Sequence, residues 1–157
     1  MSEHEQDAAF ICKRCGACCQ GQGGIVLTGR DEDRVSSFLG LSLSVFHDRY
    51  TEKKGEKRVL ATKTGNVCIF FEPKSGCTIH PGKPDICRSW PFFRGNLIDE
   101  LSWHMAQDSC PGINPGVGHR EFVCQGLRFL QKQGLAQKPG ARAPAALVVA
   151  DLFQKLT

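Results

Sequence analysis

The sequence predicts a small, loop-rich α+β single domain of short helices, a β-hairpin and C-terminal helices, and three features predict it. Chain breakers are frequent, with 17 Gly and 8 Pro in 157 residues, so regular elements must be short. Between the breakers, apolar residues recur at helical spacing in some stretches and at strand spacing in others. Nine cysteines, four of them between positions 12 and 19, point to cysteine-ligated metal centres as the organising element of a chain with only a modest apolar core.

The elements follow in order. Residues 1–9 read as a flexible N-terminus, acidic and without the apolar stretch of a secretory signal. After the cysteine run comes a flexible Gly-rich stretch at 21–24, then residues 25–27, short and branched enough for a strand. Thr28 can cap a helix over 31–39, with acidic residues early, Val35, Phe38 and Leu39 at helical spacing, and Gly40 as terminator. Ser42 or Ser44 can start a second helix through Tyr50 that turns Leu43, Phe46 and Tyr50 inward at spacings of three and four. Residues 58–63 and 67–71 read as a hairpin around Thr64, Gly65 and Asn66, which puts Cys68 in a strand.

Breakers crowd residues 72–96, so regular structure there is limited to one helical turn opened by Pro84 and carrying Cys87. Residues 117–133 carry Val123, Leu127 and Leu130 at helical spacing, flanked by Phe122 and Phe129, and stop at Gly134. A linker at 138–144 and a last helix over 144–155 follow. The domain reading is therefore a cysteine-cluster metal-binding domain over 10–134, with a linker and C-terminal helix over 135–157.

Charge and hydropathy exclude several functions. The longest apolar run, residues 145–150, is far short of the roughly 20 residues that span a bilayer, so no membrane partner is expected. The formal charge is +4, but a tetrathiolate zinc site or a fourfold cysteine-ligated 4Fe-4S cluster carries about −2, so two centres bring the chain close to neutral. Arg49, Lys53, Lys54, Lys57, Arg58 and Lys63 form a local basic run in which only Tyr50 interleaves, the pattern of a solvated face rather than a nucleic-acid groove. An odd number of cysteines without a secretory signal fits metal ligation in the cytoplasm better than disulfides.

Cys12, Cys15, Cys18 and Cys19 form a Cys-x-x-Cys-x-x-Cys-Cys run, and soft thiolates at this spacing select zinc, copper(I) or iron–sulfur clusters. Cys77, Cys87 and Cys110 stand among glycines and prolines that can aim backbone N–H groups at a sulfur, and Cys68 joins them. Cys124 differs: mid-helix, between Val123 and Leu127, it reads as a small hydrophobe. His80, His104 and His119 read as turn or surface residues, with no carboxylate placed by sequence to orient them. Arg88 can neutralise a cluster or serve in a salt bridge, and Trp90, Phe92 and Phe93 can form a dry shell over the metal.

With these motifs in this order, the chain resembles the YkgJ-type CxxCxxCC family of zinc- or iron-chelating domains over residues 10–130. The resemblance rests on the cysteine run, Cys68 to Phe71, Cys77 to His80, the stretch from Lys83 to Phe92, and Cys110 to Gly112. It implies eight metal ligands: Cys12, Cys15, Cys18, Cys19, Cys68, Cys77, Cys87 and Cys110. Lys83 stands where the family usually has Arg, and His80 where Tyr is common. The family is similar to flagellin lysine N-methylase, a longer protein, so S-adenosylmethionine-dependent lysine methylation is one alternative, although no GxGxxG fingerprint is present.

Eight thiolates can serve two four-ligand centres, and adjacent Cys18 and Cys19 seldom share one tetrahedral ion. The expected partition is Cys12, Cys15, Cys18 and Cys110 around one centre, and Cys19, Cys68, Cys77 and Cys87 around the other. Three consecutive ligands at knuckle spacing favour a 4Fe-4S cluster over zinc, although Cys15 and Cys18 could form a zinc knuckle. The functional expectation is a metal-binding protein, a redox or accessory module with a protein partner. A zinc-stabilised interaction or metal-handling protein is the other alternative, and no catalytic residue is assigned.

Overall fold

The computed structural model describes residues 3–20, 24–140 and 143–156. The Gly-rich stretch at 21–23, the middle of the linker at 141–142 and the first two residues of the flexible N-terminus lie outside the described residues. Helices and small antiparallel sheets make this an α+β chain, and it forms two compact units, Gly16–Arg88 and the combination of Met1–Cys15 with Ser89–Thr157. No helix of the described residues is long and apolar enough to cross a membrane.

The Gly16–Arg88 unit is built, among the described residues, from short strands, α-helices and two 3-10 turns. Strand β1 (Val26–Leu27) leads into α2 (Gly29–Leu39), which follows the N-terminal turn α1 (Glu3–Gln6) of the other unit in chain order. Thr28 closes a capping box with Asp31: its hydroxyl accepts from the Asp31 N–H, and its own N–H donates to Asp31 Oδ2 at 2.9 Å. Gly40 ends the helix at φ 66°, a left-handed conformation that suits glycine. Helix α3 (Leu43–Tyr50) is capped by Ser42 and buries Phe46 fully, while Leu43, expected inward, stands at the first helical position and is 40% exposed.

The chain then enters a strand that periodicity did not reveal, β2 (Thr51–Lys54), paired with β3 (Lys57–Leu60). Its Glu and Lys residues carry no apolar alternation, so pairing alone defines it. Strand β3 also pairs with β1, which gives the order β1-β3-β2 and turns Val59 and Leu60 into the core. The expected hairpin around Gly65 exists but is shorter, with β4 (Thr62–Lys63) against β5 (Val67–Cys68), since residues 58–60 belong to the three-stranded sheet. A second small hairpin, β6 (Phe71–Glu72) against β7 (Gly76–Cys77), and the turn of helix α4 (Asp85–Ser89) complete the unit. Its core is Leu27, Val35, Phe46, Leu60, Cys68, Phe70 and Ile79.

The other unit is helical: α5 (Arg94–Ile98), α6 (Glu100–Ser109) and α7 (Gly118–Lys132), packed on an apolar core that includes Trp103, Phe122, Leu127 and Leu130. Helix α7 matches the expected segment and ends before Gly134. Residues 144–155, expected as a last helix, are instead two 3-10 segments, Ala145–Leu147 and Ala150–Leu156. The cause is a bridge between Gln137 and Val148: the Val149 N–H donates to the Gln137 carbonyl, so it cannot continue an α-helical ladder. The N-terminal segment of this unit is strapped to its helices, with an isolated antiparallel bridge between Phe10 and Ile113. Gln125 accepts from the Ala9 N–H at 2.8 Å and donates to the Asp7 carbonyl, and the Ile11 N–H donates to the Gly112 carbonyl at 2.9 Å.

Candidate metal centre

Five of the eight candidate ligands lie in the Gly16–Arg88 unit, and local structure explains how each arrives. The Gly16 backbone, at φ 82°, turns the chain into a 3-10 turn, Ala17–Cys19, closed by the Cys19 N–H on the Gly16 carbonyl at 3.0 Å. Only glycine serves here, because the Phe71 ring lies where a Cβ would stand. A bridge between Gln20 and Val67 then sets the preceding residue, Cys19, beside Cys68. Cys68 stands opposite Thr62 in the β4–β5 pair, and Cys77 stands opposite Phe71 in β6–β7.

Cys87 is positioned by a buried ionic network. Asp31 and Asp85 are each only 1% exposed. Asp31 Oδ1 accepts from the Asp85 N–H at 2.8 Å, which ties α4 to α2. Arg34 Nη2 pairs with Asp85 Oδ1 at 2.9 Å, Arg34 Nη1 donates to the Lys83 carbonyl at 3.2 Å, and Arg30 and Arg88 also pair with Asp85. Arg88 therefore serves as a salt-bridge partner, one of the two roles its sequence position suggested. The aspartates carry no motif of their own; the capping box at Thr28 was the one signal pointing at Asp31.

The electrostatics show that these sulfurs share a neighbourhood. Cys18 is held down to about 6, first by a hydrogen bond from the Cys19 thiol and further by the Lys83 charge. Cys19 is pushed up by the same bond, by burial, and by Cys18, Cys68 and Cys77. Burial pushes Cys87 well up, with Cys18, Cys68 and Cys77 adding to it and Lys83 opposing. Cys68 is raised chiefly by burial. A thiol whose charged form is disfavoured by neighbouring thiolates is one that a cation stabilises, because the metal replaces the proton.

Coulombic reach exceeds coordination distance, however. Among the described residues no three His, Cys, Asp or Glu side chains stand close enough to hold an ion as they are. The donor set nonetheless fits a soft metal: five thiols in one small unit suit zinc or iron–sulfur chemistry.

The remaining three ligands, Cys12, Cys15 and Cys110, lie in the other unit. Ile11 is bonded to Gly112, so the strap delivers Cys12 one residue beyond a contact that is two residues from Cys110. Arg14, between Cys12 and Cys15, has a left-handed φ of 55°, a conformation that costs a non-glycine residue about 1–2 kcal/mol. Cys110 is buried and accepts from the Trp90 indole N–H at 3.4 Å, a partnership sequence spacing could not show. Cys18, which the expected partition groups with these three, is in the Gly16–Arg88 unit beside Cys19. Cys124 is half-buried on α7, away from any of these bonds. His119 Nε2 bonds the Asn96 carbonyl at 2.8 Å and its ring stacks on Phe122, so its role is structural.

A thiol-rich α+β chain with this cysteine order defines a class of metal-chelating domain. Residues 11–111 match the CxxCxxCC family model, described as "Putative zinc- or iron-chelating domain", and the chain belongs to that family. No solved structure matches the chain.

Proposed function

We propose that the chain is a thiolate metal protein in which Cys12, Cys15, Cys18, Cys19, Cys68, Cys77, Cys87 and Cys110 hold iron–sulfur chemistry, and that it acts as a redox or accessory module for a protein partner. The observation that supports this reading is the gathering of five sulfurs in one unit of 73 residues, Gly16–Arg88. A tetrahedral zinc ion and a 4Fe-4S cluster each take four cysteines, so the count supports thiolate metal binding, and the three consecutive ligands Cys12, Cys15 and Cys18 at knuckle spacing are what favour the cluster.

When bound, an iron–sulfur cluster supplies one-electron chemistry. The chain's own residues fix the sulfurs on short hairpins and the α4 turn, exclude water from Cys68 and Cys110 by burial, and set Lys83 as a positive charge near Cys18 and Cys87.

Anaerobic purification with iron and sulfide analysis tests the proposal. The expected result is a brown protein with acid-labile sulfide and a reversible one-electron couple. A colourless protein with stoichiometric zinc would overturn it in favour of a zinc-stabilised interaction or metal-handling role. Saturable binding of S-adenosylmethionine, measured by calorimetry, would favour the methylase-like alternative.

A further inference from the structure

Six large apolar side chains stand exposed among the described residues, and three of them, Ile98, Leu101 and Met105, fall within one run of eight positions. Leu101 and Met105 are the most exposed of the six, at 66% and 63%, and lie one turn apart on α6, which makes them neighbours on its surface. Ile98, 49% exposed, ends α5 three residues before Leu101. Single exposed apolar residues are ordinary on a protein surface, whereas a group of them on one helix marks a contact. Trp103 and Ala106 are buried on the opposite side of α6, and Asp99 caps its start. The face is therefore presented by a fixed element.

Fixed charge around this face has one sign. From Gly95 to His119 the chain has three carboxylates, Asp99, Glu100 and Asp108, and no Lys or Arg, in a molecule whose formal charge is +4. Asp108 follows Met105 at helical spacing on the same face, and Glu100 precedes Leu101; both carboxylates are exposed. His104 stands 3.9 Å from Glu100, one turn along α6. Arg94, the cation that precedes the stretch, is bound to Asp151 through both of its Nη atoms, at 2.6 and 2.9 Å.

We infer that this face of α6 docks a protein segment whose apolar side chains are flanked by Lys or Arg. Apolar contact with Leu101 and Met105 supplies attraction without direction, and the carboxylates select the sign of the partner's rim. Methionine suits such a contact, because its unbranched, polarisable side chain adapts to a partner's shape. The charge also argues against two other occupants. A second copy meeting this face with its own would set carboxylates against carboxylates. A lipid surface is bound by helices that carry Lys and Arg beside their apolar residues, and anionic headgroups repel this rim. The inference rests on the partner half of the function proposed above and is independent of its metal half, since no cysteine belongs to the face.

The chain has two methionines, Met1 and Met105, so an isotope label on the methionine methyl groups, read by nuclear magnetic resonance, reports on the face itself and is assigned with Met105→Leu. The full chain is titrated with two synthetic amphipathic helices, one of leucine and lysine, the other of leucine and glutamate. The expected result is a saturable shift of the Met105 methyl signal with the lysine peptide and none with the glutamate peptide. Leu101→Gln, and separately the double variant Glu100→Gln with Asp108→Asn, should each weaken the lysine peptide about fivefold or more in fluorescence anisotropy. All three positions are exposed, so both variants should keep the parent's circular dichroism. Binding of both peptides alike, or variants that bind like the parent, overturns the inference. A lysine peptide that binds while the Met105 signal stays still overturns the face and leaves the partner reading standing. A Met105 shift that follows self-association in sedimentation, or the addition of phosphatidylglycerol vesicles, overturns it in favour of a second copy or a membrane. Metal analysis of the same sample reads the metal half separately.

Discussion

The Trp90 indole N–H points at the Cys110 sulfur in an apolar setting and helps to hold that sulfur's orientation. Trp90→Phe keeps an aromatic ring against Phe93 and removes only the donor. The expected outcome is an unchanged melting temperature with several-fold faster metal loss to a chelator, since one hydrogen bond is worth about 1 kcal/mol; unchanged release kinetics would show that the indole only packs. Cysteine identity separates in the same way. Cys87→Ser should lose metal, whereas Cys124→Ser, outside the bonded sulfur set, should retain it, as metal analysis of the two purified variants would report. Asp85 is a third case, a buried carboxylate facing Arg30, Arg34 and Arg88. Asp85→Ala should destabilise by about 2–3 kcal/mol in chemical denaturation, less than a fully buried pair because the arginines are partly solvated. The cysteines were legible from spacing alone because a thiolate's chemistry is carried by its residue type. The Asp31–Asp85 link was not, since it joins residues 54 apart through a backbone N–H that no side-chain pattern encodes.

Among the elements, α2 and α7 were legible because caps and apolar periodicity agreed: Thr28 and Gly40 bracket the first, and Phe122, Leu127 and Leu130 line the buried face of the second. Helices α5 and α6 escaped for a physical reason. Leu101 and Met105 are 66% and 63% exposed, so the apolar residues of α6 do not mark its buried face, which is made by Trp103 and Ala106. The start signal of α6 is Asp99, whose carboxylate accepts from both the N–H and the hydroxyl of Ser102. Those bonds hold the Asp99 carboxyl below its ordinary value. The linked stability is therefore complete above the ordinary carboxylate range and is lost as pH falls through the lowered folded value. Asp99→Asn should keep a cap but flatten that acid dependence, which denaturant melts of both proteins from neutral to acid pH would reveal; identical slopes would rule the linkage out. Helix α7 offers a packing test at Gly126, where an added Cβ would stand 2.5 Å from Phe92 Cδ1 and 3.1 Å from Leu97 Cδ2. Gly126→Ala gains about 1 kcal/mol of helix propensity and meets an overpacking cost of about 1–3 kcal/mol, so the net effect should be destabilising, by about 1 kcal/mol in an equilibrium melt.

At the scale of the whole molecule, the two units differ in how much apolar core they own. The unit built on Ser89–Thr157 buries thirteen hydrophobic residues in one cluster, among them Trp103 and Phe122. The corresponding cluster of the Gly16–Arg88 unit holds seven among the described residues, and one of those is the candidate ligand Cys68. A small core leaves the conformational entropy of short hairpins poorly opposed, so ligated metal has more of the folding free energy to supply there than in the helical unit. Five of the eight candidate ligands lie in that same unit, Cys18 and Cys19 in the 3-10 turn and Cys68, Cys77 and Cys87 on the hairpins and the α4 turn. Metal removal should accordingly be uneven. Hydrogen exchange followed by mass spectrometry, with and without a chelator, should show protection collapsing in peptides from β4 to α4 while α7 keeps most of its own. Equal loss of protection in both units would mean that the metal stabilises the chain as one cooperative body, and no loss in either would mean that the hydrocarbon cores suffice without it.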